Sequence, residues 1–330
     1  MLIEEYIRYV EGVKRYSPRT VEIYQAVLKE YVHMISGGDD TYTDDELVAS
    51  MNPSEIRQYE VYLLESDPPH SARTVSLHLS ALSGFCRFLM KEGRIKSNPV
   101  KLVSKPKPEK RIPQFFGKDA MDEYFNNTSH LLEEAQHREF LKAWETDTGK
   151  DYYKKFLERM IVSTLYSLGV RRAELIGLSI GSFNFGRNVV KVHGKGDKMR
   201  EIPLVASLSE EILLYLKAVE TMCGRKRSLT EPLFVTYAGT PLYPQYVDRA
   251  VKSALGGQKS IKGRKSPHVL RHSLATELMN EDTDLNSIKE LLGHSSLAAT
   301  QVYTHSSIAR LKDSYKRAHP RAKNGGKHGD

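Results

Sequence analysis

His268 and Arg271 lie three positions apart in the stretch SPHVLRHSLATELM. On a helix that spacing sets two side chains next to each other. Ser266-Pro267 supplies an N-cap and a first-turn proline, which opens a helix at this point. An imidazole and a guanidinium converging near the positive end of a helix make a phosphate site; the same two residues also fit a solvated face with a histidine at the helix end. Leu270, Leu274 and Leu278 recur every fourth residue and form a buried stripe on another side of the helix. His268 and His272 are four apart, a spacing that zinc sites use. No glutamate follows His268 in an H-E-x-x-H pattern and no cysteine is near, so the better reading of His272 is structural.

Two further stretches carry groups of the same kind. In DLNSIKELLGHSSLAATQVYTH, Leu285, Ile288 and Leu292 define one helix and Gly293 ends it. His294 follows at once, Ser295 and Ser296 offer a cap for a second short helix, and Tyr303 comes nine residues after His294. Taken alone, Tyr303 fits a packing role as readily as a chemical one. In TLYSLGVRRAELIGL a helix stops at Gly169 and the chain restarts with Arg171. That arginine could simply pair with Glu174, or be fixed by Glu174 while it presents its fork to a phosphate.

The elements that must position these groups fall into two textures. The first hundred residues read as four amphipathic helices. Ile3, Ile7 and Val10 mark the first; Ser17-Pro18 opens the second ahead of Val21, Tyr24, Leu28 and Tyr31; Asn52-Pro53 opens the third ahead of Ile56, Tyr59 and Leu63. Val75, Leu79, Leu82, Cys86 and Leu89 give the fourth, which stops near Gly93. RIKSNPVKLVSKPKPEKRIP, dense in proline and cations, reads as a solvated linker whose basic residues could also track a phosphate backbone. Beyond it helical patterns dominate, interrupted by NVVKVHGKGDKMREIPL. There Val190 and Val192 alternate, Gly194 and Gly196 make a turn, and Ile202 and Leu204 alternate on the return, which predicts a β-hairpin. The final KNGGKHGD reads as a disordered tail.

Composition narrows the classes. Lys plus Arg exceed Asp plus Glu by 49 to 41, a net charge of +8 that favours an anionic partner such as nucleic acid. Two cysteines far apart exclude a disulfide framework and a cysteine-rich zinc site, and suit a reducing cytoplasm. No run of 18 apolar residues is present, so no membrane partner is expected.

Taken in order, GVRRAEL, GKGDKMREIPL, HVLRH, LLGHSS and QVYTH resemble the tyrosine recombinase (phage integrase) family, most closely its bacterial Xer-type members. The resemblance covers roughly residues 155–310. SPRTVEIYQAVLKEY and SARTVSLHLSALSGFCRFLMKEG with Asn98-Pro99 look like the family's N-terminal core-binding domain, and SYKRAHPRA looks like the Xer C-terminal helix. The stretch TSHLLEEAQHREFLKAWETDTGKD is longer than the Xer pattern, which suggests an extra surface helix or a partner contact. The resemblance implies a mainly α fold with a small β-hairpin or sheet, arranged as a two-domain clamp. Residues 1–100 would be a helical, SAM-like core-binding domain, 101–112 a basic linker, 113–322 a mixed α/β catalytic domain and 323–330 a tail.

It also implies a catalytic set of Arg171, Lys195, His268, Arg271, His294 and Tyr303, with no metal and no cofactor. Tyr303 would attack a DNA phosphate to give a 3′-phosphotyrosine. Arg171, Arg271 and His294 would stabilise its charge, and Lys195, with Lys198 as runner-up, would protonate the leaving 5′-oxygen. His268 would take the tyrosine proton or help to hold the phosphate. Implied partners are double-stranded DNA, a homo- or hetero-tetramer on paired sites, and a second recombinase or accessory factor. The C-terminal segment would dock on a neighbouring protomer. The alternatives are an integrase or invertase of a mobile element with the same chemistry, and a DNA-binding regulator that no longer cuts.

Overall fold

The computed structural model describes residues 1–39, 41–107, 114–133, 146–194, 198–281, 284–293, 315, 319 and 321. The chain divides into two compact units, Met1–Ile112 and Pro113–Asp330.

The first unit is helical: α1 (Leu2–Gly12), α2 (Pro18–Ile35), α3 (Asp44–Ser50), α4 (Pro53–Glu65) and α5 (Ala72–Lys91). Side chains cap most of the starts. Ser17 Oγ accepts from the Thr20 N–H at 3.2 Å, Asn52 Oδ1 from the N–H groups of Ser54 and Glu55, and Ser71 Oγ from Thr74. Helix α3 was absent from the four-helix reading. It is held by a capping box in which Thr43 Oγ1 accepts from Glu46 N–H and the Glu46 carboxylate accepts from Thr43 N–H at 2.7 Å. Leu28, Leu47, Ile56, Leu63, Leu79 and Leu82 are fully buried, each stabilising the unit by about 1.5–3 kcal/mol relative to exposure. The expected linker begins as packed structure. Pro99–Leu102 form a 3-10 turn against α5, and Val100 and Val103 are buried with the unit's core. Apolar side chains at i and i+3 outweigh the surrounding lysines there.

The second unit is built around a helix buried on every side. After α6 (Lys118–Asn127) comes α7 (Asp147–Leu168), in which every residue from Phe156 to Leu168 is buried. A helix buried all round belongs at the centre of a domain, and α7 packs against α9 (Ala206–Cys223), α10 (Pro244–Gly256) and α11 (Pro267–Asn280). The long 125–155 segment therefore contributes the end of α6, a 3-10 turn at Ser129–Leu132 and the first turns of α7; residues 134–145 lie outside the described residues.

The hairpin forms, with one strand added. Strands β1 (Phe183–Asn184), β2 (Val189–His193) and β3 (Met199–Pro203) make an antiparallel sheet in the order β1-β2-β3, with Val190 opposite Ile202 and Val192 opposite Arg200. Gly194 N–H donates to Lys198 O at 2.7 Å at the base of the turn. A short α8 (Arg172–Ile176) and α12 (Leu285–Leu292) complete the described helices, with α12 packed on α11 and β3.

The described residues of the C-terminal segment pack against the core of the second unit. Tyr315, His319 and Arg321 are all buried. Tyr315 Oη donates to Ser167 O, and Arg321 N–H donates to His319 Nδ1 at 3.1 Å, leaving His319 Nε2 to donate to Ser167 O at 3.0 Å. The Arg321 guanidinium donates to Ser163 Oγ, to Ser167 Oγ at 2.9 Å and to Glu211 at 2.5 Å. Arg159 donates to the same Glu211 oxygen at 3.0 Å, and both guanidiniums face the Phe125 ring.

Candidate active site

Helix α7 ends at Gly169, whose φ of +58° lies in the left-handed region that glycine enters without a Cβ penalty. The reversal puts Arg171 at the N-cap of α8, where Glu174 accepts from the Arg171 N–H at 2.9 Å and from its Nη1 at 2.7 Å. Both sequence alternatives for Arg171 hold in part: it pairs with Glu174, yet its side chain stays 34% exposed. Its Nη2 donates to Gly293 O at 2.9 Å, so one guanidinium edge is fixed.

Arg271 reaches the same place from α11. Its Nη1 donates to Gly169 O at 2.5 Å and its Nη2 to Leu292 O. The sequence set Arg271 beside His268 on a face away from the leucine stripe; the structure gives the two different surroundings. Arg271 is 8% exposed and points inward to the ends of α7 and α12, whereas His268, in the first turn of α11, is exposed. Residues three apart on a helix diverge by about 60°, enough for one to reach the core while the other meets solvent. The expected Ser266 cap makes no side-chain hydrogen bond, so Pro267 alone marks that helix start. His272 is exposed, which removes the basis for a structural role.

A third arginine, passed over in the sequence, completes the cluster. Arg200 on β3 is 7% exposed. It donates through Nη1 and Nη2 to the two Glu174 oxygens at 3.1 and 2.7 Å, and through Nε to Leu291 O at 2.8 Å. Three consecutive carbonyls at the C-terminus of α12, those of Leu291, Leu292 and Gly293, thus accept from Arg200, Arg271 and Arg171 in turn. The signal was available: in a strand, alternation puts Arg200 on the inward face with Ile202, and an inward cation requires a partner.

The electrostatics follow from this crowding. Burial pushes the Arg271 guanidinium down, and Arg171 beside it adds to the effect, bringing its pKa to about 10, still cationic at neutral pH. Burial would raise the Glu174 carboxyl, but hydrogen bonds from Arg200 and Arg171 outweigh it and hold the group at about 2. Three cations against one carboxylate, with Arg171 partly open to solvent, can take an anion.

Lys195, His294 and Tyr303 lie outside the described residues. The structure describes the chain next to two of them: Gly194 and Lys198 on either side of the turn that holds Lys195, and Gly293, the left-handed cap of α12, before His294. Lys198, the runner-up for Lys195, is exposed. Among the described residues one group has metal-ligand character, Glu30, His70 and His78 in the first unit. One nitrogen of each ring is engaged, His78 Nδ1 2.9 Å from Tyr59 Oη and His70 Nδ1 2.9 Å from Ser66 Oγ.

The model of the phage integrase family matches residues 130–310, and that of the phage integrase N-terminal SAM-like domain matches residues 3–93. The chain is 31% identical to the tyrosine recombinase XerC of Chlorobaculum parvum, covering 97% of this chain and 94% of that protein. It is 30% identical to the tyrosine recombinase XerD of Staphylococcus aureus, covering 97% and 99%. Its fold is similar to that of the XerH site-specific recombinase solved on a palindromic difH substrate in a post-cleavage complex, with a TM-score of 0.61 at 19% identity over 95% of this chain and 84% of that one.

Proposed function

The chain belongs to the phage integrase family, and from that premise we propose how it acts as an Xer-like site-specific DNA recombinase. The observation that carries the reading is the cluster at the α12 C-terminus, where Arg171 and Arg271 are held by consecutive carbonyls just before the segment that leads to Tyr303.

In the proposed reaction the Tyr303 hydroxyl attacks a backbone phosphate. An Oη–P bond forms, the P–O5′ bond breaks, and a 3′-phosphotyrosine remains with a free 5′-hydroxyl. Arg171 and Arg271 neutralise the non-bridging oxygens as charge develops, with His294 adding a hydrogen bond. Lys195 protonates the leaving 5′-oxygen, and His268, exposed at the start of α11, accepts the tyrosine proton or contacts the phosphate. The phosphotyrosine conserves the energy of the broken bond, so attack by another 5′-hydroxyl rejoins the strand without ATP.

Residues 1–100 are assigned to DNA core binding, 101–112 to a basic connection and 113–322 to catalysis, the two domains gripping duplex DNA as a clamp. Recombination brings four protomers onto paired sites. The similarity to XerC and XerD proteins supports chromosome dimer resolution as the task, with a second recombinase as partner. Among the described residues no helix is long and apolar enough to cross a membrane; cytoplasmic, nucleoid-associated work belongs to this proposal.

Covalent trapping tests it. Wild type and Tyr303→Phe are incubated in EDTA with nicked duplexes carrying candidate recombination sites, so that cleavage cannot reverse. An SDS-resistant adduct with wild type and none with the variant is the expected result. An adduct with Tyr303→Phe removes Tyr303 as nucleophile. Binding by both proteins without any adduct favours a non-cutting regulator.

A further inference from the structure

Arg200 has no place in the catalytic set, yet it makes three side-chain hydrogen bonds within the cluster, where Arg171 and Arg271 make two each. We propose that Arg200 is a positioning residue: acting through Glu174, it holds the Arg171 guanidinium in place for phosphate, a role that rests on the recombinase reading above.

Its own hydrogen bonds exclude direct contact with DNA. Nε, Nη1 and Nη2 all point inward, to Leu291 O and the two Glu174 oxygens, and the side chain is 7% exposed. What it does is saturate a carboxylate. Glu174 Oε1 receives Arg171 Nη1 at 2.7 Å and Arg200 Nη1 at 3.1 Å; Oε2 receives the Arg171 N–H at 2.9 Å and Arg200 Nη2 at 2.7 Å. With Arg200 in place, Glu174 can hold only one edge of Arg171. Without it, both carboxylate oxygens are free to turn onto Arg171 as a bidentate pair, the geometry a carboxylate prefers, and draw the fork away from Gly293 O.

The anchor is also a junction. Arg200 lies on β3 directly after the turn that carries Lys195, and the Leu291 carbonyl it binds is two residues before Gly293 at the end of α12. Gly194 sits against the cluster: a Cβ there would lie 3.5 Å from Arg200 Nη1 and 3.8 Å from Glu174 Oε1. One planar guanidinium therefore ties together the sheet, the start of α8 and the end of α12. A lysine, whose three donors radiate from a single nitrogen, cannot reproduce the planar fork that spans both Glu174 oxygens and the Leu291 carbonyl.

Single-turnover cleavage of the nicked duplex tests this, with duplex affinity and thermal unfolding measured on the same preparations and rates normalised to folded protein. Arg200→Lys is expected to bind DNA within about threefold of wild type and to cleave about 10²-fold more slowly, the scale of an ångström-level misplacement at a reacting centre. Glu174→Gln should lose a similar factor. The double variant should be no slower than the slower single one, because residues acting through one linkage are not additive. Wild-type cleavage by Arg200→Lys, or a double variant showing the product of both losses, overturns the proposal. Should Arg200→Lys fail to fold, the isosteric Glu174→Gln reads the same linkage, and wild-type cleavage by it is equally decisive. A wild-type protein that forms no adduct brings down the recombinase reading itself; an active wild type with an undamaged Arg200→Lys brings down only this role.

Discussion

Two of the arginine clusters among the described residues of the second unit use the same ingredients to different ends. At the end of α12, Arg171 and Arg200 share one carboxylate, Glu174, and Arg271 beside them is held by carbonyls. Between α7 and α9, Arg159 and Arg321 share another, Glu211. Both carboxylates are held low by their arginines against the upward push of burial. They differ in what surrounds the surplus charge. At Glu211 the cations are closed in by Ser163, Ser167 and the face of Phe125, and both are almost wholly buried. At Glu174 the surplus ends on backbone carbonyls, and Arg171 remains a third open to solvent. A buried cation that meets hydroxyls and a ring is part of the core; one that meets carbonyls on one side and water on the other is available to a ligand.

That distinction can be broken by substitution, beginning with the largest effect. Glu211→Ala leaves two buried guanidiniums without their anion and should cost about 3–5 kcal/mol in chemical denaturation, with cleavage per folded molecule preserved. A cleavage loss beyond the unfolding would erase the contrast. Arg271→Ala should show the reverse balance, a loss of about 10²–10³ in cleavage rate with duplex binding retained. Gly169→Ala should cost about 1–2 kcal/mol for a side chain in the left-handed region. Its Cβ would also lie 2.8 Å from Leu292 Cδ2 and 2.9 Å from Leu274 Cδ2. Because Gly169 O receives Arg271, this small destabilisation should carry a cleavage defect that a similar loss at the Glu211 cluster does not.

The mildest test uses acid. Burial, with Arg321 adding to it, lowers His319 to about 3, and its Nδ1 already accepts the Arg321 N–H. The folded chain keeps His319 neutral while the unfolded chain protonates it. Its contribution is therefore complete above the ordinary histidine value and is lost as pH falls from there toward 3. Across that window the slope should approach about 1.4 kcal/mol per pH unit. Urea titrations at pH 7.5 and 5.0 should show a larger loss for wild type than for His319→Gln; equal losses would remove His319 as the cause.

Much of this was legible where neighbours in sequence do the work. Ser17-Pro18 and Asn52-Pro53 opened helices as their types require, the alternating valines made the hairpin, and Leu270, Leu274 and Leu278 formed the buried stripe. The GVRRAEL corner showed Arg171 and Glu174 as a pair. The rest depended on distant partners. Arg200 finds its carbonyl 91 residues away, and Arg321 finds Ser163 158 residues away. Strand alternation marks Arg200 as inward but does not name its partner, and no local pattern distinguishes Arg321 from the solvated arginines that dominate a basic chain. Helix α3 was a different kind of miss: the Thr43-to-Glu46 capping box is local and was overlooked because only Leu47 of that helix is fully buried.

The end of α12 has one more consequence. A helix C-terminus carries roughly half an elementary negative charge, so exposed carbonyls there would repel an approaching DNA strand. Here the last carbonyls are each covered by a guanidinium, and only one carboxylate offsets three cations. The field at that spot is reversed in sign, and the chain toward residue 294 leaves from a place that draws a phosphodiester in.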